Sequence, residues 1–291
     1  MRRDPCAEIY RDVPAEQHAR LLSFRATHSP RQLRVGRRGP LWEYLACGYG
    51  APYLLILPGG LRVAEAAFPL ITALEPDFRV LAPSYPPARK LEPLLDGLAA
   101  LLDAEGAAQA IVLGMSYGGS IAQSFVRRYP QRVSRLVLSN TGVPPTREEV
   151  RTLPSLIAAL HLLPYRLLRR LITPLFSRFV FACDEQAFWQ AYVNELLTCR
   201  LHKSDVLSHF RVALDLGRRY RFTPGDLAGW AGRVLILESE HDLVPPAEQA
   251  ALRALYPGAQ VYTFHQGGHT PWLTRTEEYV GAIRAFLAPG L

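Results

Sequence analysis

The sequence predicts an α/β domain built on a doubly wound, largely parallel sheet and interrupted by a helical insertion, and three observations predict it. Short, continuously apolar runs recur along the first half of the chain: YLLIL (53–57), FRVLA (78–82), AIVLG (110–114) and RLVLS (135–139). Stretches with apolar residues at helical spacing separate them: VAEAAFPLITALE, LEPLLDGLAALLDAEG and the segment from Ser116 to Tyr129. Continuous apolar runs, as opposed to alternating ones, are what strands require when helices cover both faces of a parallel sheet. The third observation is where the rhythm stops. From residue 143 to 224 only helix-period segments occur, and the β/α pattern resumes with RVLILE at 233–238.

Taken in order, residues 1–32 form an N-terminal extension, helix-forming over PAEQHARLLSFRA and halted at Ser29-Pro30. From Leu33, the runs LRV and LWEYLA flank Gly36-Arg37-Arg38-Gly39-Pro40, which is turn chemistry for a hairpin. The core therefore spans 33–142 and 225–291, with 143–224 as a helical cap. Four cap helices are expected, from LPSLIAALHLL, PYRLLRRLITPLFSRF, DEQAFWQAYVNELLTC and SDVLSHFRVALDLGRRY. After RVLILE come a helix at PAEQAALRALYP, the run QVYTF (260–264) and a final helix from Thr276 to Leu287.

Composition narrows the function. With 49% apolar and 20% charged residues in 291, the chain is neither disordered nor fibrous. The net charge of +7 comes almost wholly from arginine, Lys90 and Lys203 being the only lysines. These arginines are scattered and not interleaved with aromatics in one stripe, which argues against nucleic acid as a partner. Cys6, Cys47, Cys183 and Cys199 show no metal-ligand spacing and read as reduced thiols of a cytoplasmic protein. No apolar stretch follows Arg2-Arg3 as an export signal would need, and no run is long enough to span a bilayer. No oligomerisation motif stands out.

The chemistry concentrates at strand ends. Gly114-Met115-Ser116-Tyr117-Gly118-Gly119 is a G-x-S-x-G placed after a strand and before a helix. A sharp strand-to-helix turn strains the serine and crowds its neighbours two positions away, so Gly114 and Gly118 suit it. The turn lifts the Ser116 hydroxyl to a helix N-terminus, as a nucleophile needs. After RVLILE, Asp242 is the candidate acid, with Glu238 and Glu240 as competitors; after QVYTF, His269 is the candidate base, with His265 and His241 as alternatives. For an oxyanion, the N–H groups of Tyr117 and of Gly60 in Leu57-Pro58-Gly59-Gly60-Leu61 are the expected donors, with Leu61 as the second choice for the latter. The cap carries apolar residues such as Phe176 and Trp189, expected to pack on the core and wall an acyl pocket. Its arginines Arg166, Arg169, Arg170 and Arg178 are candidates to attract a substrate carboxylate. Pro154, Pro164 and Pro174 are expected to keep its helices short, which disfavours membrane contact through the cap.

PGG, GMSYGG, ESEHDLVP and GGHTPW, in this order and on these elements, resemble the α/β-hydrolase superfamily over residues 33 to 289. The resemblance implies an α/β-hydrolase fold: a mostly parallel eight-stranded sheet with helices on both faces and a helical cap. It further implies a Ser-His-Asp triad of Ser116, His269 and Asp242, with no cofactor and no metal. One departure stands out: Pro58 occupies the place of the family's usual histidine in the oxyanion loop. APSYPP, SYGG and LSNTGVPP resemble, more weakly, the maspardin-like members, some of which act as binding proteins. The expected function is a carboxylesterase-like serine hydrolase acting on a small acyl substrate. A non-catalytic binding or scaffold protein on the same fold, or a carbon–carbon bond hydrolase, is the alternative.

Overall fold

The computed structural model describes residues 8–37, 39–178 and 185–288. One eight-stranded sheet forms the centre. Its strands are β1 (Arg31–Arg34), β2 (Leu41–Cys47), β3 (Tyr53–Leu57), β4 (Arg79–Ser84), β5 (Ala110–Met115), β6 (Val133–Ser139), β7 (Arg233–Ser239) and β8 (Gln260–Phe264). The spatial order is β1-β2-β4-β3-β5-β6-β7-β8; the β1/β2 and β2/β4 pairs are antiparallel and the rest parallel. The hairpin expected from Leu33 is β1–β2, with β1 starting two residues earlier.

Strand periodicity sorts the central side chains between two cores. Leu54 and Ile56 of β3 enter one hydrophobic cluster and Leu55 and Leu57 the other, all four fully enclosed. Each such side chain contributes about 1.5–3 kcal/mol relative to exposure. One face is covered by α1 (Ala15–Thr27), α2 (Phe68–Leu74) and α11 (Thr276–Leu287); the other by α3 (Glu92–Ala104), α4 (Tyr117–Arg128) and α9 (Pro246–Leu255). This is the doubly wound arrangement that the uninterrupted apolar runs demand.

Residues 143–224 contribute α5 (Arg147–Leu162), α6 (Tyr165–Arg178), α7 (Gln186–Glu195) and α8 (Lys203–Arg219), with a π-helical turn at Leu196–Arg200 after α7. Thr146 caps α5 through a reciprocal pair with Glu149. Two of the three cap prolines do not act as expected. Pro164 separates α5 from α6, but Pro154 and Pro174 lie inside those helices, which run 16 and 14 residues. Each proline forfeits one N–H while the packing of Leu160, Leu168 and Ile172 against Val193 and Leu197 holds the helix on either side.

The N-terminal extension is integral to the fold. Leu21 and Phe24 of α1 are buried in the core, and Arg25 donates to Glu65 on the core side and to Glu195 at the end of α7. Tyr10 donates to the same Glu195. Burial alone would raise the Glu65 carboxyl, but Arg25 and Arg200 hold it below its ordinary range. Cys47 is a free thiol, whereas Cys199 is disulfide-bonded, contrary to the expectation of reduced thiols; Cys6 and Cys183 lie outside the described residues. No helix among the described residues is long and apolar enough to cross a membrane.

Candidate active site

Ser116 follows β5 directly and precedes α4, with φ 49° and ψ −118°. A non-glycine residue in that region is strained, and its surroundings hold it there. The Ser116 N–H donates to Ser139 O at 2.9 Å, and its carbonyl accepts from Gly119 N–H and Thr141 Oγ1, each at 2.8 Å. The glycines of the motif answer to close approach. A Cβ on Gly114 would sit 2.6 Å from Ala122 Cβ and from Gly118 O, and one on Gly118 would sit 2.2 Å from Leu57 O.

From the serine outward, three side chains form a hydrogen-bonded line. Ser116 Oγ lies 2.9 Å from His269 Nε2, and His269 Nδ1 lies 2.5 Å from Asp242 Oδ1. The Asp242 side chain is 1% exposed and that of His269 8%, so the line is enclosed where a charge pair gains most from low dielectric. Asn140, at the end of β6 with φ 45°, fixes the acid. Its Nδ2 reaches Asp242 Oδ2 at 2.8 Å, Ser239 Oγ at 3.0 Å and Gly268 O at 3.2 Å. Val244 N–H donates to Asp242 Oδ1 at 3.2 Å. Gly267 does more than loosen the loop before His269: a Cβ there would meet Phe264 Cβ at 2.7 Å and Ser239 Oγ at 2.8 Å.

The competing residues lie apart from this line. Glu238 is engaged by Arg253 and by Thr263 Oγ1, while Glu240 pairs with His265 Nδ1 at 3.0 Å on the surface. His241 is exposed and takes a left-handed backbone at the loop apex.

Ser116 and His269 open into a cavity of about 340 Å³ between core and cap. Pro58, Gly59, Gly60 and Leu61 form one wall, and a Cβ on Gly59 would lie 3.5 Å from Ser116 Cβ. Phe176, Trp189, Val193 and Leu197 bring the cap down over it, Phe176 to within 3.4 Å of the Cβ position of Gly60. Arg166, Arg169 and Arg170 are not among the residues that line this cavity, which takes Ile172, Leu175 and Phe176 from the later part of α6; the side chain of Arg178 is outside the described residues. The guanidinium at the wall is instead Arg62, itself at φ 66° and 2% exposed. It donates to Tyr117 Oη at 3.1 Å and to the carbonyls of Pro86 at 2.9 Å and Tyr85 at 3.4 Å. Tyr85 Oη in turn donates to Pro58 O at 3.3 Å. Thus Arg62 and Tyr85 tie the Pro58–Leu61 loop to Tyr117. His209 of α8 stacks on the Tyr117 ring at 4.4 Å, and burial together with the Arg62 charge pushes its imidazole down to about 4.

The profile of the Alpha/beta hydrolase family matches residues 54–282. The chain belongs to the alpha/beta hydrolase family. Its eight-stranded sheet and cap are those of the superfamily that its motifs resemble, and this hydrolase has similar solved structures. A hydrolase from Pseudomonas aeruginosa PA01 superposes with a TM-score of 0.72 at 22% identity, covering 90% of this chain and 99% of that one. The naproxen esterase (carboxylesterase NP) from Bacillus subtilis gives 0.62 at 16% identity, covering 97% and 98%. At these identities the likeness is one of fold. Among curated proteins, the poly(3-hydroxyalkanoate) depolymerase of Ectopseudomonas oleovorans is 36% identical over 107 residues, 32% of this chain. That alignment spans only 37% of the depolymerase. Proline iminopeptidase PfmaB of Pestalotiopsis fici is 23% identical over 86% of this chain and 96% of its own length.

Three residues of this hydrolase escaped sequence reasoning: Asn140, Arg62 and His209. For Asn140 the available signal was its place one residue past β6, at a strand C-terminus. Arg62 and His209 carried no local signal, since their roles arise from contacts between the β3–α2 connection, the β4–α3 connection and the cap.

Proposed function

We propose that this hydrolase is a serine esterase of carboxylesterase type, acting on a small acyl substrate through an acyl-enzyme. The observation that carries the reading is the enclosed line Ser116–His269–Asp242 opening into an apolar cavity. In this reading Ser116 Oγ attacks the acyl carbon as its proton passes to His269 Nε2. Asp242 keeps Nδ1 protonated and stabilises the imidazolium. Negative charge on the carbonyl oxygen falls to the N–H groups of Gly60 and Tyr117. As the first residue of α4, Tyr117 has no intrahelical acceptor for its N–H. His269 then returns the proton to the leaving alcohol, and a water repeats the sequence to free the acid.

An ester fits the cavity better than a peptide with a free amino terminus. The one acid lining the cavity among the described residues is Asp205, whose Oδ2 accepts the His202 N–H at 2.9 Å, while Arg62 adds a positive charge with no ion pair to a carboxylate among those residues. A cationic amine is disfavoured beside Arg62. Core 33–142 and 225–291 with cap 143–224 is the division that this reading uses, the cap setting acyl specificity. A cytoplasmic location belongs to the same proposal, and persistence of the Cys199 disulfide in the cell would count against it.

A fluorophosphonate probe tests the reading directly. Wild type should label and Ser116→Ala should not; a well-folded wild type that stays unlabelled would leave a binding role on the hydrolase fold as the better account.

A further inference from the structure

Two side chains lining the mostly apolar cavity carry a buried polar atom with no hydrogen-bond partner among the described residues, Arg62 Nε and His209 Nδ1, and only the imidazole can both donate and accept. His209 makes no hydrogen bond through either ring nitrogen among the described residues, and its Nδ1 is enclosed with no partner. Leaving such a group unpaired is unfavourable, and native proteins do so where a ligand or a function accounts for it. The polar neighbours are partly engaged elsewhere. Asp205 is held by the His202 backbone, and the terminal nitrogens of Arg62 are directed to the Tyr117 hydroxyl and two carbonyls.

The ring's position gives the vacancy a meaning. It is fixed between Tyr117, stacked at 4.4 Å and 30°, and Phe210, edge-on at 5.2 Å and 75°. Its Cε1, the carbon between the two nitrogens, points at the oxyanion loop, 3.7 Å from the Cβ position of Gly60. In an acyl group whose carbonyl oxygen is held at Gly60, an oxygen on the third carbon lies roughly 3–4 Å from the carbonyl carbon by ordinary bond lengths. With Ser116 Cβ 3.5 Å from the Cβ position of Gly59 and His209 Cε1 3.7 Å from that of Gly60, the oxyanion loop has the serine against one glycine and the imidazole against the next. Because the ring stays neutral, one nitrogen can donate and the other accept, so a hydroxyl and a keto oxygen are both served.

We propose that His209 is a specificity residue that hydrogen-bonds a hydroxyl or keto oxygen on the third carbon of the substrate's acyl chain. The inference rests on the esterase reading of Ser116 and narrows its substrate class to oxygenated short acyl groups. A plain alkanoyl chain offers the imidazole no hydrogen-bond partner.

The test compares kcat/KM for p-nitrophenyl butyrate, 3-hydroxybutyrate and 3-oxobutyrate on wild type, His209→Phe and His209→Gln. Phenylalanine retains the stacking on Tyr117 and loses the nitrogens; glutamine retains a donor and an acceptor. Wild type should favour at least one oxygenated ester by about tenfold. His209→Phe should bring that ratio close to one, and His209→Gln should restore part of it. The 3-hydroxy and 3-oxo arms identify which oxygen is read. A wild-type ratio near one, or an equal fall for all three esters in His209→Phe, overturns the proposal. Failure of folded wild type on every ester would reject the esterase reading itself. Calorimetric binding of 3-hydroxybutyramide to Ser116→Ala, against the double variant with His209→Phe, then reads the subsite without turnover: equal affinities overturn it and a weaker double variant supports it.

Discussion

Gly118→Ala probes the coupling between the serine turn and the oxyanion loop. The added methyl would sit 2.2 Å from Leu57 O, 2.7 Å from Leu57 C and 2.7 Å from Pro58 O, all backbone atoms of the segment that leads into Gly60. Real Cβ contacts do not fall below 3.0 Å, so loop and helix must separate by about 0.8 Å. A misplacement on the order of 1 Å costs about a hundredfold in rate, and loss of one oxyanion donor costs about 10²–10³. Overpacking of this kind costs about 1–3 kcal/mol in stability. The expected result is a kcat on p-nitrophenyl butyrate about a hundredfold down, a lower urea midpoint and slowed fluorophosphonate labelling. Gly281→Ala in α11 is the control, because a methyl there meets open space. It should raise the midpoint slightly by helix propensity and leave turnover intact. If Gly118→Ala loses stability yet keeps kcat within about threefold of wild type, the loop can retreat without cost to catalysis. The assignment of Gly60 and Tyr117 as donors is then wrong.

Two further outcomes follow from the side-chain geometry. Asp242→Asn should lower kcat by about 10⁴ by imposing the wrong imidazole tautomer. Asn140→Ala should lower it by about a hundredfold by releasing the acid; a Glu240→Gln defect with normal Asp242→Asn turnover would refute the choice of acid. His209 gives a pH signature. Its folded value near 4 lies below the 6.5 of the unfolded chain, so the unfolded state binds the extra proton. Its contribution is complete above about pH 6.5 and falls away towards pH 4, by at most about 3 kcal/mol. The urea midpoint of wild type should therefore fall relative to that of His209→Phe as pH drops through that window, and parallel curves would contradict the burial argument.

The strands were readable because each central strand is enclosed on both faces, which writes its position into the sequence as an unbroken apolar run. Ser116, Asp242 and His269 were readable because α/β sheets gather chemistry at strand C-termini, and each follows a recognisable strand. The rest depends on tertiary proximity. Arg62 reads as one more scattered arginine until the turn at φ 66° folds it under Tyr117. The prolines at 154 and 174 read as breaks, yet packing around Leu168 and Ile172 outweighs one lost hydrogen bond each. The extension looked like an appendage because α1 shows its apolar positions only as Leu21 and Phe24 amid charge.

That extension constrains how substrate can enter. Arg25 grips Glu65 of the core and Glu195 of α7 at 2.7–3.0 Å, while Arg200 and Tyr192 reach the same Glu65 from the cap. Lifting α7 would strand at least one carboxylate in a poorly solvated place, a costly separation for paired buried charges. The α7 wall, with Trp189 and Val193, is thus clamped to the core, whereas none of these ion pairs reaches α6. Leu175 of α6 lines the cavity while remaining 53% exposed. Movement that admits substrate to Ser116 is therefore expected at α6, which the first helix does not hold.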